Sequence, residues 1–252
     1  MLGSGIEKDW IRTQTRHYRR LVERDGLVNF AVAVGETDLH ISAMRDLREL
    51  ARGTVLECRR TLQEHIARDP LFRDSLVPLR VDADAPLLIR AMAEASASAG
   101  VGPMAAVAGA IAEAVGRRLI EFSDEVIVEN GGDIFMRTLK PCTVAIFAGN
   151  SPFSLKVGLQ LDPAPEGLGM CTSAATVGHS LSFGQADAAV ALSLNAALAD
   201  AWATATANAA KGPASVETAL NLSEQHSDVL GVVVIVGNKL GARGQIRLAR
   251  VG

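Results

Sequence analysis

The run Asn130-Gly131-Gly132-Asp133 is the feature that most constrains how this chain can fold. It is flanked by the apolar segments VIVE and IFMRTL, whose β-branched and aromatic residues favour strands. Two glycines between two strands predict a tight hairpin turn. Glycine also permits positive φ and leaves room for a phosphate or a ring to approach the backbone. These four residues therefore leave a plain hairpin turn and a turn shaped for a ligand both open.

Strand patterns and helix patterns alternate along the rest of the chain. Apolar and β-branched residues near period two predict strands at 27–34 and 37–44, and further strands are predicted at 16–22, 142–148, 155–161, 186–192, 229–237 and 245–251. Apolar residues at three- and four-residue steps, or runs of alanine, predict helices at 46–68, 85–97, 104–120, 194–210 and 214–222. Proline and glycine predict loops at 149–152 and 162–165 and a turn at 238–241. The mixture predicts an α/β or α+β domain.

Composition excludes several classes of function. The net charge of −3 argues against nucleic acid as a partner, and one tyrosine and two tryptophans offer few surfaces on which bases could stack. The three cysteines are widely spaced and fit neither a disulfide framework nor a zinc site. The polar start has no apolar signal-peptide core, and no uncharged apolar run reaches about 18 residues. We therefore expect a cytoplasmic protein with no membrane partner.

Asp200 and Thr204 form a second candidate site, on a predicted helix that is rich in alanine. Residues four apart lie on the same helix face. Aspartate and threonine are weak helix formers, so propensity does not explain their presence there. Carboxylate and hydroxyl oxygens are ligands that Mg²⁺ takes, usually together with water and phosphate. The alternative is that Asp200 lies in the first turns of the helix and Thr204 bonds back to the backbone.

The segment 172–180 is rich in hydroxyl groups and contains His179. A histidine in a small polar loop can act as a base near pH 7, although it can equally have no chemical role. No Gly-x-Ser-x-Gly elbow occurs, which disfavours a serine hydrolase. No local feature lowers the pKa of Cys171. The basic cluster 16–20 is interpreted as a solvated strand face or as a distant wall of a phosphate pocket.

Four motifs in order resemble one protein family: GPMAAVAGAIAEAVG, VENGGDIF, CTSAATVGHSLSFGQADAAVALS and ALADAWATATAN. They are similar to a family of uncharacterised bacterial and archaeal proteins in the ApbE-like superfamily. The best-known members of that superfamily are FAD:protein FMN transferases. The resemblance to the uncharacterised family covers nearly the whole chain. It implies one compact ApbE-like, T-fold-like α/β (α+β) domain over residues 1–252, with a mixed sheet and packing helices.

The resemblance also implies a site for FAD and Mg²⁺. Asp200 and Thr204 correspond to the aspartate and threonine that hold Mg²⁺ beside the FAD pyrophosphate in the transferases. His179 has the only plausible place for a histidine that takes part in catalysis there. The residues implied at the nucleotide are Asn130, Gly131, Gly132, Asp133, Thr172 and Ser173.

Two departures from the transferase pattern bear on the activity. Ala108 stands where the transferases carry a lysine, and 179–183 reads HSLSF in place of His-x-x-Asp-Pro. These changes leave three hypotheses: Mg²⁺-dependent binding or transfer of a flavin nucleotide, non-catalytic binding or carriage of it, or an enzyme on an unrelated small molecule with a reshaped loop at 171–182. The apolar strands and alanine-rich helices would suit a homodimer.

Overall fold

An antiparallel sheet of eight strands organises the structure, a computed structural model that describes residues 26–175 and 183–251. Its strand order is β1-β2-β3-β4-β7-β8-β9-β10, and a second sheet has the order β11-β6-β5. The strands are β1 Val28–Val34, β2 Thr37–Ala43, β3 Val126–Asn130, β4 Asp133–Thr138, β5 Cys142–Ala145, β6 Val157–Leu161, β7 Ala164–Ser173, β8 Ala188–Ser193, β9 Val229–Val236, β10 Lys239–Gly244 and β11 Leu248–Arg250.

The helices in the described residues join these strands and cover one face of the large sheet. They are α1 Arg48–Arg68, α2 Leu71–Asp74, α3 Leu87–Ala99, α4 Val107–Leu119, α5 Ala196–Ala209 and α6 Val216–Asn221. Short 3₁₀ helices occur at Pro103–Ala106, Pro213–Ser215 and Leu222–Gln225. The architecture confirms the predicted α+β class. The sheet is not mixed as predicted, because every strand pair in the described residues is antiparallel.

The alternation of side chains along the strands divides the core into two layers. Val128 and Phe135 point toward the helices, whereas Ile127 and Ile134 point toward the three-stranded sheet. All six residues of β8 are buried, because both faces of that strand are covered. The small side chains of β8 and α5 allow the layers to approach closely.

The glycine in the middle of the alanine-rich motif allows α4 and α5 to come into contact. A Cβ atom on Gly109 would lie 2.3 Å from the carbonyl oxygen of Ala196. A Cβ atom on Gly116, two turns later, would lie 2.1 Å from Cδ1 of Phe135 on the sheet. Only glycine fits at both positions, so the spacing between helix and sheet is set by the sequence of α4.

The segment 87–119 forms a bent pair of helices. Among the described residues no single helix is long and apolar enough to cross a membrane, but α3 and Pro103–Leu119 together pass that test by length and composition. The two parts are bent by 105°. Ile89 and Met92 on α3 and Ile111 on α4 are buried in the core of this protein.

The structure corrects the predicted elements in three places. The loop predicted at 162–165 is wrong at its end, because β7 begins at Ala164, which pairs with Thr138 beyond a register shift. The turn predicted at 238–241 is also wrong, because Lys239–Gly241 pair with β9 and the turn itself is Gly237-Asn238. The helix predicted from 104 starts as a 3₁₀ turn. The strand predicted at 16–22 and the basic cluster 16–20 lie outside the described residues.

Candidate functional site

The glycine turn joins β3 and β4, where Asn130 pairs with Asp133. Gly131 and Gly132 have φ of 68° and 109°, and a two-residue hairpin turn with positive φ at both positions requires glycine or asparagine-like residues. The amide of Gly132 donates to the Glu129 carboxylate (2.8 Å). The Asn130 side-chain amide donates to the carbonyl of Ala108 (3.0 Å). The turn is therefore a hairpin that is also hydrogen-bonded, through Asn130, to the start of α4.

Asp133 starts β4 immediately after this turn and points into the helical layer. Its side chain is buried, and its Oδ1 accepts a hydrogen bond from the amide of Thr172 on β7 (3.2 Å). The neighbouring Cys171 is also buried, and its thiol donates to the carbonyl of Ala196 at the start of α5 (3.3 Å). Asp133 thus lies where β4, β7 and α5 meet.

Asp200 approaches the same place from the second turn of α5. Its side chain is buried, and its Oδ2 accepts a hydrogen bond from the amide of Gly109 (2.9 Å). Gly109 is the third residue of α4, so this amide has no acceptor within its own helix. The positive end of the helix dipole also stabilises a carboxylate there. The Asp200 carboxylate bonds to another helix rather than to the backbone of α5.

Burial raises the free energy of the charged form of both carboxylates, and at Asp133 the charge of Asp200 adds to this effect. Burial and the nearby charge of Asp200 hold the pKa of Asp133 well above its usual range, and the charge of Glu129 adds to this. Burial raises the pKa of Asp200 to about 7, although the amides of Gly109 and Ala108 oppose the shift. No described lysine or arginine lowers either pKa. A bound cation would relieve this repulsion.

Thr204 lies one helical turn beyond Asp200 and is half-buried. Its hydroxyl makes no bond back to the helix among the described residues, so the alternative predicted for Thr204 does not describe this structure. Asp133, Asp200 and Thr204 therefore offer carboxylate and hydroxyl oxygens, a donor set that suits Mg²⁺ with water and phosphate completing its shell. By donor type these residues suit Mg²⁺, and the role of Asp200 and Thr204 as its ligands stays a prediction. In residues 26–175 and 183–251, no group of three or more histidine, cysteine, aspartate or glutamate side chains is placed to hold a metal.

The remaining predicted site residues fall into two groups. Thr172 binds Asp133 through its amide, and Ser173 is buried with no hydrogen-bond partner for its hydroxyl among the described residues. His179 belongs to 176–182, which lies outside the described residues, so its catalytic role stays a prediction. Burial and the charges of Asp133 and Asp200 raise the pKa of the Cys171 thiol, which argues against a thiolate nucleophile.

Glu113 is a residue of this region that the sequence did not single out. Its Oε2 accepts a hydrogen bond from the amide of Ala196 (2.7 Å), the first residue of α5, and its Oε1 forms an ion pair with Arg117. A carboxylate at a helix N-terminus binds an amide that the helix itself leaves without a partner. Glu113 thus fixes the start of α5 against α4. The only signal in the sequence was one acidic residue within an alanine-rich apolar helix.

Two known proteins resemble this chain in sequence over most of its length. A chain from Methanococcus aeolicus named "UPF0280 protein" is 38% identical over 226 residues, which cover 87% of this chain and 91% of the relative. A "UPF0280 protein" from Methanocella arvoryzae is 41% identical and covers 84% of this chain and 87% of its own length.

The solved structures that resemble this chain include the apo form of the flavinyl transferase ApbE from Pseudomonas stutzeri. The TM-score is 0.57 at 14% sequence identity, and the match covers 88% of this chain and 95% of the transferase. At this identity the likeness establishes the fold, which confirms the predicted ApbE-like architecture. That one domain extends over all of residues 1–252 stays a prediction. The model of the family "AbpE bacteria" matches residues 19–246, and the chain belongs to this family.

Proposed function

We propose that this protein binds a flavin nucleotide such as FAD together with Mg²⁺ at the site formed by Asp133, Asp200 and Thr204. The observation that carries the proposal is the pair of buried carboxylates on β4 and α5, whose charges no described lysine or arginine offsets. Burying two unpaired carboxylates costs free energy, so a site that retains them is suited to a cation. The flavin transferases of the same fold support the choice of nucleotide.

Each element would contribute a different part of the site. Asp200 and Thr204 would hold Mg²⁺ from one face of α5, and Asp133 would face them from the sheet. The bound Mg²⁺ would offset negative charge on the phosphate oxygens of the nucleotide. Because the Gly132 amide is already bonded to Glu129, the turn would supply an open surface rather than several amide donors. A Cβ atom on Gly131 would meet nothing within 4 Å, so a ligand has room there.

The chemistry after binding distinguishes two candidate functions, transfer of the flavin nucleotide and its carriage. In transfer, an acceptor hydroxyl would attack the phosphorus that carries the FMN half of FAD, the pyrophosphate bond would break and AMP would leave. His179 is the candidate base that would take the proton of that hydroxyl. Ala108 favours the second candidate, a carrier that returns its ligand unaltered. The Ala108 carbonyl accepts a hydrogen bond from Asn130, but the Ala108 side chain offers no positive charge to a phosphate.

Calorimetric titration of the protein with FAD, with and without Mg²⁺, tests the binding proposal. We expect binding to require Mg²⁺ and to be lost in Asp200→Asn, which keeps the shape of the side chain but removes its charge. Asp84→Asn is the matched control, because Asp84 is exposed and distant from these elements in the sequence. Equal FAD affinity in wild type, Asp200→Asn and Asp84→Asn would contradict the proposal.

Chromatography of the flavin after long incubation with Mg²⁺ separates the two candidates. Release of AMP at the expense of FAD, measured with an added pool of candidate acceptor proteins, is expected for a transferase. Recovery of all the FAD intact, from a protein that binds it with Mg²⁺, is expected for a carrier.

A further inference from the structure

The two outer strands of the eight-stranded sheet differ in how well their edges are protected. β10 carries Lys239 and Arg243, and the Arg243 guanidinium pairs with Glu217 and Glu224 next to it. Charged residues on an edge strand discourage pairing with another chain. β1 has the sequence VNFAVAV, with no charge, no proline and no glycine in seven residues. Within residues 26–175 and 183–251 it pairs only with β2, so in this part of the chain no strand pairs with its other edge.

The sequence of β1 is self-complementary when it is paired antiparallel with itself about Ala31. Phe30 would then face Val32 of the second copy, and Asn29 would face Ala33 of that copy. Residues directly opposite in an antiparallel pair project from the same face. Phe30 and Val32 both belong to the helical core layer, so the apolar sides of the two sheets would coincide. No like charges would meet along the pairing.

The helix above this edge offers a second contact surface. A groove of about 790 Å³ runs between the end of β1 and one flank of α1, and Gly53, Leu56 and Arg60 line it at helical spacing. The Leu56 side chain is 49% exposed, and a Cβ atom on Gly53 would meet nothing within 4 Å. Glu57 and Arg60 line the same flank with opposite charges, so two antiparallel copies of α1 can form ion pairs across a twofold axis.

We propose that the β1 edge and the adjoining flank of α1 form a homodimer interface, with β1 paired antiparallel to β1 of a second copy. The two eight-stranded sheets then become one continuous sheet. A second copy is the occupant that matches the strand, because the strand pairs with itself without a buried charge or a lost apolar contact. The proposal is independent of the flavin site.

Light scattering after size-exclusion chromatography of the full chain tests the interface. Ala31→Lys places two like charges opposite each other at the twofold axis and is expected to raise the dimer Kd by about tenfold or more. Ala31 is exposed in the described chain, so the monomer should keep its fold, as measured by circular dichroism. Ala242→Lys is the matched control, since Ala242 is an exposed alanine on the other edge strand.

Substitutions of opposite charge test whether a loss of the dimer arises from charge repulsion at the interface rather than from misfolding. Ala31→Glu should also weaken the dimer, whereas an equimolar mixture of Ala31→Lys and Ala31→Glu should restore it. A wild-type chain that is monomeric at micromolar concentration would overturn the proposal, as expected if residues 1–25 or another protein cover the edge. A dimer that neither Ala31 variant weakens would equally overturn it.

Discussion

The two faces of the eight-stranded sheet bury different chemistry. The face covered by the three-stranded sheet is filled mainly by aliphatic and methionine side chains such as Met136 and Leu159, and Glu129 is buried on the same side at the end of β3. The helical face buries a larger apolar cluster but also Glu113, Asp133 and Asp200. Buried apolar groups stabilise a fold, whereas buried carboxylates do so only when they are paired. The comparison teaches that the aliphatic face serves mainly stability, whereas the helical face loses some stability by burying the pair Asp133 and Asp200.

The largest effect that tests this comparison is expected on the aliphatic face. Leu159 on β6 is fully buried, and Leu159→Ala should lower the free energy of unfolding by about 2–5 kcal/mol. Urea denaturation measures this loss. Calorimetry on the folded variant should give an unchanged affinity for FAD with Mg²⁺, because Leu159 lies across the sheet from the carboxylates. A variant that kept its stability but lost affinity would contradict the division between the faces.

The second effect is a dependence of stability on pH that arises on the helical face. The pKa of Asp200 is raised to about 7 by burial, and the pKa of Asp133 is raised too. Between about pH 4 and pH 7 the unfolded chain has lost protons that the folded chain keeps. The metal-free protein should therefore lose stability as the pH rises through this window, by up to about 1.4 kcal/mol per pH unit for one proton.

Asp200→Asn separates the contribution of Asp200 to the pH dependence of stability from that of the other titrating groups. The variant should flatten the slope between pH 4 and 7 relative to wild type, while Asp84→Asn should leave it unchanged. The other ionisable groups that interact with this pair are Glu129 and Cys171, and both variants retain them. Added Mg²⁺ should stabilise wild type more at pH 8 than at pH 5, because only ionised carboxylates bind it. A slope that is equal in wild type and Asp200→Asn would exclude Asp200 as its source.

Local patterns predicted most of the elements that form the site. The helical period of 46–68 and the glycine turn at 131–132 required no knowledge of the rest of the fold, and both occur as predicted. The spacing of Asp200 and Thr204 placed both on one face of a helix. The order of the motifs, through the family resemblance, then predicted that Asp133 and Asp200 lie at one nucleotide site. The charge of Asp200 raises the pKa of Asp133, so the two carboxylates are close together, while their role at a nucleotide stays a prediction.

Long-range pairing could not be predicted in the same way. β11 pairs with β6, some ninety residues earlier in the chain, and no local period encodes that register. β7 begins between Pro163 and Pro165, which resembled a loop because proline lacks an amide donor. A strand tolerates proline at its first residues, and here a register shift opposite Thr138 accommodates it. The role of Glu113 depends on contact between two helices and has no signature of its own.

The smallest effect is expected at Glu113, which should affect both the stability of the helical face and its affinity for FAD. Glu113→Ala leaves the Ala196 amide without its acceptor and should lower the free energy of unfolding by about 1 kcal/mol. Because α5 carries Asp200 four residues later, a looser start should also weaken Mg²⁺-dependent FAD binding several-fold. Glu113→Gln keeps an acceptor oxygen and should restore most of the affinity. Glu121→Ala, which removes an exposed ion pair with Arg118, is the control. Weakened stability with unchanged affinity in Glu113→Ala would mean that the position of Asp200 does not depend on this contact.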